Sequence, residues 1–239
     1  MGNILRGFVP KAVLLIFGLF LLTATGYCAE GAEPAKDWSV PMFGVFKVPQ
    51  EFQAAEVKGL KELVQQQKDN VRLKLDVSAK GDAFDRVDIA VYQLTMNDGQ
   101  AYRQAWLLAV RDRQVTAQIG DLLTGPNPEE KIRAILLQDS MIRSLEKISY
   151  SDPKTGIGFK VLELSPLEFT SPGGTPVLAG GIRALVKNGD FLFPFFAKGY
   201  VFAVDKHLAG LFCITYDSER QYWNEVMGSI VDSMELKTN

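Results

Sequence analysis

The chain has 239 residues, with 26 Lys and Arg against 28 Asp and Glu, one His, two Cys and 47% hydrophobic residues. A net charge of −2 gives no clustered basic face for nucleic acid. The apolar content excludes a disordered chain and is enough for one domain with a real core.

Arg6 and Lys11 precede the apolar run Ala12–Leu22, which gives way to Thr23-Ala24-Thr25-Gly26-Tyr27-Cys28-Ala29. A basic start, an apolar core of about a dozen residues and a small-residue exit predict a secretory signal peptide over residues 1–29. The run is shorter than the roughly 20 residues that span a bilayer, so the alternative is an uncleaved anchor over residues 12–29. Cleavage near Ala29 places the protein in the periplasm or outside the cell, with a net charge of about −4 once Arg6 and Lys11 are removed. Cys28 lacks the preceding small residue and upstream Leu of a lipid-attachment signal, since Tyr27 and Thr25 stand there. Cys213 then remains as a single thiol in an apolar run, expected in the core, with no intrachain disulfide.

Residues 30–37 read as a polar linker and residues 38–239 as a single α+β domain. Phe43–Val48 reads as a strand stopped by Pro49. Val57, Leu60, Leu63 and Val64 fall at helical spacing and predict an amphipathic helix over 54–67. Val71, Leu73, Leu75 and Val77 alternate with polar residues and predict a strand. Val87–Val91 and Tyr102–Val110 flank Asn97-Asp98-Gly99 and predict a hairpin. Asn127-Pro128-Glu129-Glu130 is a helix start, and the apolar spacing carries that helix to Ile148, with a turn over Ser151–Gly156. The last third reads as an antiparallel sheet, strands 158–164, 177–187, 191–196, 200–205 and 211–216. Turns are expected at Ser171–Gly174, Asn188–Asp190 and Lys206–Gly210. A closing helix begins at a Ser218/Gln221 capping box, with Tyr222, Trp223, Val226, Met227, Ile230, Val231 and Met234 on one face. That face is expected to pack on the sheet of residues 158–216.

The sequence offers little chemistry. His207, expected in a surface turn, has no neighbouring Cys or carboxylate set for zinc, and no Gly-x-Ser-x-Gly elbow accompanies it. Ser171–Thr175 and Ala179-Gly180-Gly181 lack the Lys-Ser/Thr of a phosphate loop and read as sheet turns or bulges. Asp82–Asp88 lacks the central Gly and terminal Glu of a calcium loop. No catalytic, metal or cofactor residue is assigned. The one candidate surface is the aromatic cluster Phe191, Phe193, Phe195, Phe196 and Tyr200. It is apolar on both strand faces, so that one side must be covered by the protein's own helices or by a partner.

Phe46-Lys47-Val48-Pro49-Gln50-Glu51-Phe52 resembles the strand, Pro and aromatic that open PsbP-like and DcrB-like domains. Thr215–Trp223 running into Ile230–Met234 looks like their last strand and closing helix. The resemblance implies an α/β/α sandwich, an antiparallel sheet packed by amphipathic helices, in a family of mostly non-enzymatic accessory or assembly factors. It covers about a third of the chain and carries over no functional residue. The expected function is an exported, non-enzymatic envelope protein that binds an unidentified protein or ligand and not nucleic acid, touching membrane only through an uncleaved N-terminal segment. The alternative is an envelope hydrolase whose carboxylates assemble in space.

Overall fold

The protein was analysed as a computed structural model, which describes residues 37–49, 52–57, 87–97, 102–115, 126–127, 130–131, 149–152, 156–204 and 207–236. The residues expected as a signal peptide, most of those expected as a linker, most of the helix expected at 54–67, the strand expected at 71–77 and the body of the helix expected after Asn127 lie outside them.

The described chain is mainly β. Short strands β1 (Asp37–Val40) and β2 (Gly44–Lys47) form a hairpin, and β3 (Phe52–Glu56) leads into the large sheet. The long pair β4 (Val87–Asn97) and β5 (Tyr102–Val115) follows, then β6 (Ser149–Asp152), β7 (Ile157–Leu164) and β8 (Glu168–Thr170). β9 (Val177–Asn188), β10 (Phe191–Val204) and β11 (His207–Tyr216) complete the sheet. Helix α1 (Arg220–Asp232) and β12 (Glu235–Leu236) close the chain. The large sheet runs β3-β4-β5-β11-β10-β9-β7-β6, with β8 pairing β9, and a second sheet runs β1-β2-β12. Every strand pair in them is antiparallel.

This overturns the expected α+β sandwich. Among the described residues α1 is the one α-helix longer than a single turn, and the small β1-β2-β12 sheet shares its face of the large sheet. Residues 54–56, expected to start an amphipathic helix, are extended because Phe52–Glu56 pairs in register with Tyr92–Met96. Phe52 fills the core from that strand with no exposed area. Ser149–Asp152, part of it read as a turn, is a strand on β7.

Two apolar layers flank the large sheet, as strict alternation along each strand demands. On one face Trp223, Met227, Ile230 and Val231 of α1 pack with Trp38, Phe43 and Phe46 of the β1–β2 hairpin against Leu94, Leu107, Tyr200, Phe202 and Leu211. The opposite face carries Val91, Trp106, Leu108, Ala184, Val186, Phe195, Phe212 and Ile214, all buried. The Trp223 face therefore packs on more of the sheet than residues 158–216, reaching β3 through an edge-on contact with Phe52 at 5.5 Å.

Glycine decides one feature of the second layer. Gly199 and Gly210 leave the gap in which the Phe212 ring lies. A Cβ on Gly199 would sit 2.7 Å from Phe212 Cδ1, and one on Gly210 would sit 2.7 Å from Phe212 Cε2. Gly210 is thus a strand residue and not the end of a turn, and β11 already begins at His207, which pairs with Val204. Gly180 and Gly181, expected at a turn or bulge, lie in mid-strand opposite Gly199 and Lys198. The irregularity falls in β7 instead, between Val161 and Glu163. Ser171–Gly174 does turn, through a 3-10 segment with Gly173 and Gly174 at positive φ. The closing helix starts differently from expectation. Glu219 is its N-cap residue without a side-chain cap, and Ser218 lies in a preceding 3-10 turn.

Candidate functional site

The register brings the ends of three strand pairs to one end of the large sheet: Asn97 faces Tyr102, Asp152 faces Ile157, and Asn188 faces Phe191. There the β9–β10 hairpin overhangs its neighbour. Phe195 pairs with Tyr216, the last residue of β11, so Phe191 stands four residues further out, roughly 13 Å at the usual strand rise. The sequence supports this reach, because Gly189 takes φ +61° in the two-residue turn where other residues are strained.

Exposure follows from the overhang. Phe191 is 71% exposed, Leu192 61%, Tyr102 62% and Tyr216 40%. These four, with Leu162 of β7, are the exposed large hydrophobic side chains among the described residues. Phe191, Phe193, Phe195 and Tyr216 share one face. The Phe191 and Phe193 rings are 6.3 Å apart, Phe195 stacks on Tyr216 at 5.1 Å, and Tyr216 meets Trp106 edge-on at 6.4 Å. The other face of the same tip carries Leu192 opposite Lys187, and Pro194 opposite Leu185, which in turn faces Lys160.

The five aromatics that stand out in the sequence therefore separate. Phe195, Phe196 and Tyr200 are buried, Phe193 is half-buried, and Phe191 is exposed. Phe196 lies across Gly181 on the helix side, and Tyr200 belongs to the core beneath α1. Burial pushes the Tyr200 hydroxyl well above its ordinary pKa, with smaller contributions from Cys213 and from the carboxylates Glu168 and Asp232. Sequence reasoning missed Leu192, Tyr102 and Tyr216. Tyr102 adjoins the readable Asn-Asp-Gly turn, but no sequence signal marks how far β10 outruns β11.

A polar network lies where α1 begins. Arg183 donates from Nε to Asp217 Oδ1 at 2.9 Å and from Nη2 to Oδ2 at 2.7 Å, and from Nη1 to Glu163 at 2.7 Å. Lys198, its side chain 12% exposed, pairs with Glu168 at 3.0 Å. Arg103 lies 4.1 Å over the Tyr222 ring and 3.9 Å from Glu219, which accepts a bond from Trp223 Nε1 at 3.0 Å. Hydrogen bonds from Arg183 hold the Asp217 carboxyl below its ordinary range, against an opposing effect of burial. Such a group stays ionised and paired, and does not serve as a proton donor near neutral pH.

Several other reactive side chains among the described residues are also engaged or enclosed. His207 opens β11, half-buried, its Nδ1 2.9 Å from the backbone oxygen of Asp112. Cys213 is 2% exposed and burial pushes its thiol far up, which suppresses the thiolate. Asp88 is paired with Arg113 at 2.7 Å. Tyr92, edge-on to Trp38 at 4.9 Å, is pushed up to about 12 by burial and then by Glu56. Among the described residues no three His, Cys, Asp or Glu side chains gather as metal ligands. No helix of the described residues is long and apolar enough to cross a membrane.

No family model matches the chain, and no curated protein matches it. One solved structure similar to it is PA94 from Pseudomonas aeruginosa, a protein of unknown function. It is 12% identical, with a TM-score of 0.37 over 68% of this chain and 89% of that one. At that TM-score the likeness carries no argument about fold or role.

Proposed function

We propose that this is an exported, non-enzymatic binding module of the cell envelope, and that its working surface is the overhanging end of the large sheet. The observation that carries this is the placement of exposed apolar area. Of the five exposed large hydrophobic side chains among the described residues, Phe191, Leu192, Tyr102 and Tyr216 lie at one end of the large sheet, and the fifth, Leu162, lies in β7. Contiguous exposed apolar groups mark binding surfaces in soluble domains. The reactive side chains lean the same way, since Asp217, Glu163, Glu168 and Asp88 are committed to cations and Cys213 is enclosed. The basic-apolar-small N-terminal pattern supports export, and the resemblance of both chain ends to PsbP-like domains supports an accessory or assembly role.

A photo-crosslinking amino acid at position 191, compared with one at the exposed position 225 on α1, tests the reading in the native host. Adducts at 191 well in excess of those at 225, in protein outside the cytoplasm, are expected. Equal labelling at the two positions overturns the reading.

A further inference from the structure

The tip of the β9–β10 hairpin has a composition that separates two kinds of partner. Phe191 and Leu192 are adjacent and therefore point to opposite faces of the hairpin. Both are more than half exposed, so no single flat partner surface covers both side chains. The β6–β7 connection flanks the tip on the β9 side, where Gly189 N–H donates to the Gly156 carbonyl at 3.1 Å, and a medium that meets both faces of the hairpin covers them. On the Leu192 face stand Lys187, directly opposite, and Lys160, opposite Leu185. Both lysines are exposed, and neither forms an ion pair with a described residue. The described acids at this end are Asp190, in the turn, and Asp152, opposite Ile157, and neither lies opposite Lys160 or Lys187 in the register. Tyr102 on the β4–β5 hairpin, across β11 from β10, and Tyr216 at the end of β11 place two further amphipathic rings at the same end of the sheet.

Protein interfaces are depleted in Lys. Lys beside exposed apolar and aromatic side chains is instead the composition of a membrane–water boundary. There the rings sit at headgroup level, and the ammonium groups meet anionic phosphates while their stems lie along apolar surface.

We propose that this tip inserts into the surface of an anionic lipid bilayer, with Phe191 and Leu192 entering the headgroup–acyl boundary and Lys160 and Lys187 contacting lipid phosphates. This rests on the reading of the sheet end as the working surface and names its partner. It adds a membrane contact made by the folded domain to any made by the N-terminal segment.

The chain supplies its own spectroscopic test. Its three tryptophans, Trp38, Trp106 and Trp223, are 5%, 6% and 1% exposed, so Phe191→Trp adds the one exposed indole. The full chain carrying Phe191→Trp is mixed with vesicles of equal parts phosphatidylglycerol and phosphatidylcholine bearing brominated acyl chains. A blue shift and quenching of the new indole are expected, with weaker quenching on pure phosphatidylcholine. Lys160→Gln and Lys187→Gln should each raise the lipid needed for half-maximal quenching about fivefold. Leu192→Trp is the second reporter, should Phe191→Trp alter the melting temperature. Because the readout is the indole at the tip, chain held to vesicles by residues 12–22 alone leaves it unquenched.

An unquenched indole on anionic vesicles overturns the proposal, and so does equal quenching on both lipids. A blue shift that grows with protein concentration without lipid assigns the tip to a second copy of the chain and also overturns it. In that case, or if position 191 crosslinks to a protein, the binding-module reading stands. If position 191 neither quenches nor crosslinks, both fall.

Discussion

Arg183 grips Asp217 with two parallel hydrogen bonds, Nε to Oδ1 at 2.9 Å and Nη2 to Oδ2 at 2.7 Å. This fork joins the middle of β9 to the turn that launches α1, 34 residues on in the chain. Bidentate Arg–carboxylate pairs add geometric specificity to their energy, so this one sets where the helix starts over the sheet.

The pair gives stability a definite acid dependence. A carboxyl whose folded pKa is depressed stabilises the fold above its unfolded value, near 3.9. That contribution is lost as pH falls through the folded value. The parent should therefore lose urea resistance steadily from about pH 5 to about pH 2. Asp217→Asn should be less stable at neutral pH and lose less on acidification. If the Asp217→Asn variant keeps the parent's acid profile, that loss belongs to other carboxylates.

Trp223 is the largest side chain that α1 buries, at 1% exposure, edge-on to Phe52 and bonded to Glu219. Trp223→Ala should cost about 3–5 kcal/mol, the range for large aromatic deletions in cores, out of a total of about 5–15 kcal/mol. Urea denaturation measures it. A loss under about 1 kcal/mol would mean that the helix is not part of the core.

The Phe212 ring occupies the space that side chains at Gly199 and Gly210 would need. Gly199→Ala should destabilise by about 1–3 kcal/mol through overpacking, and the cost should shrink when Phe212 is first made Leu. A double-mutant cycle reads that coupling directly. Additive losses would show that the ring is not what the glycine accommodates.

Cys213 should resist thiol reagents at pH 8 in the folded protein and react on unfolding, because burial holds its thiol protonated. Cys213→Ala should cost about 1 kcal/mol through a small cavity. Rapid labelling without denaturant would place the thiol at the surface.

The N-terminal pattern predicts protein outside the cytoplasm that begins near Glu30. Intact-mass measurement on protein from its native host reads this. A mass retaining residues 1–29 would favour the anchor, and an added diacylglycerol would identify Cys28 as a lipid site.

The long strands were legible because alternation survives where both sheet faces are buried. Val87–Val91, Val177–Lys187 and Leu211–Tyr216 all read correctly, as did α1 from its 3.6-residue spacing. Of the small sheet only β2 was legible, within the strand read at Phe43–Val48; β1 has four residues and β12 two, too few for a period to show. The spacing of Val57, Leu60, Leu63 and Val64 suggested a helix reaching back to Ala54. Long-range pairing of Phe52–Glu56 with β4 overrode that local preference at its start. The aromatic cluster was visible in the sequence, but its division between core and surface was not. Phe195 and Phe191 differ only in that β11 ends opposite one of them, which is a property of register between distant strands.

The central claim is that the sheet end, and not a reactive side chain, is the working part of the molecule. Complementation of a deletion strain at equal levels of folded protein tests it most directly. Phe191→Ser/Leu192→Ser, two exposed positions, should fail to restore the deletion phenotype, while His207→Ala/Cys213→Ala should restore it. Restoration by the first and failure of the second would contradict the account.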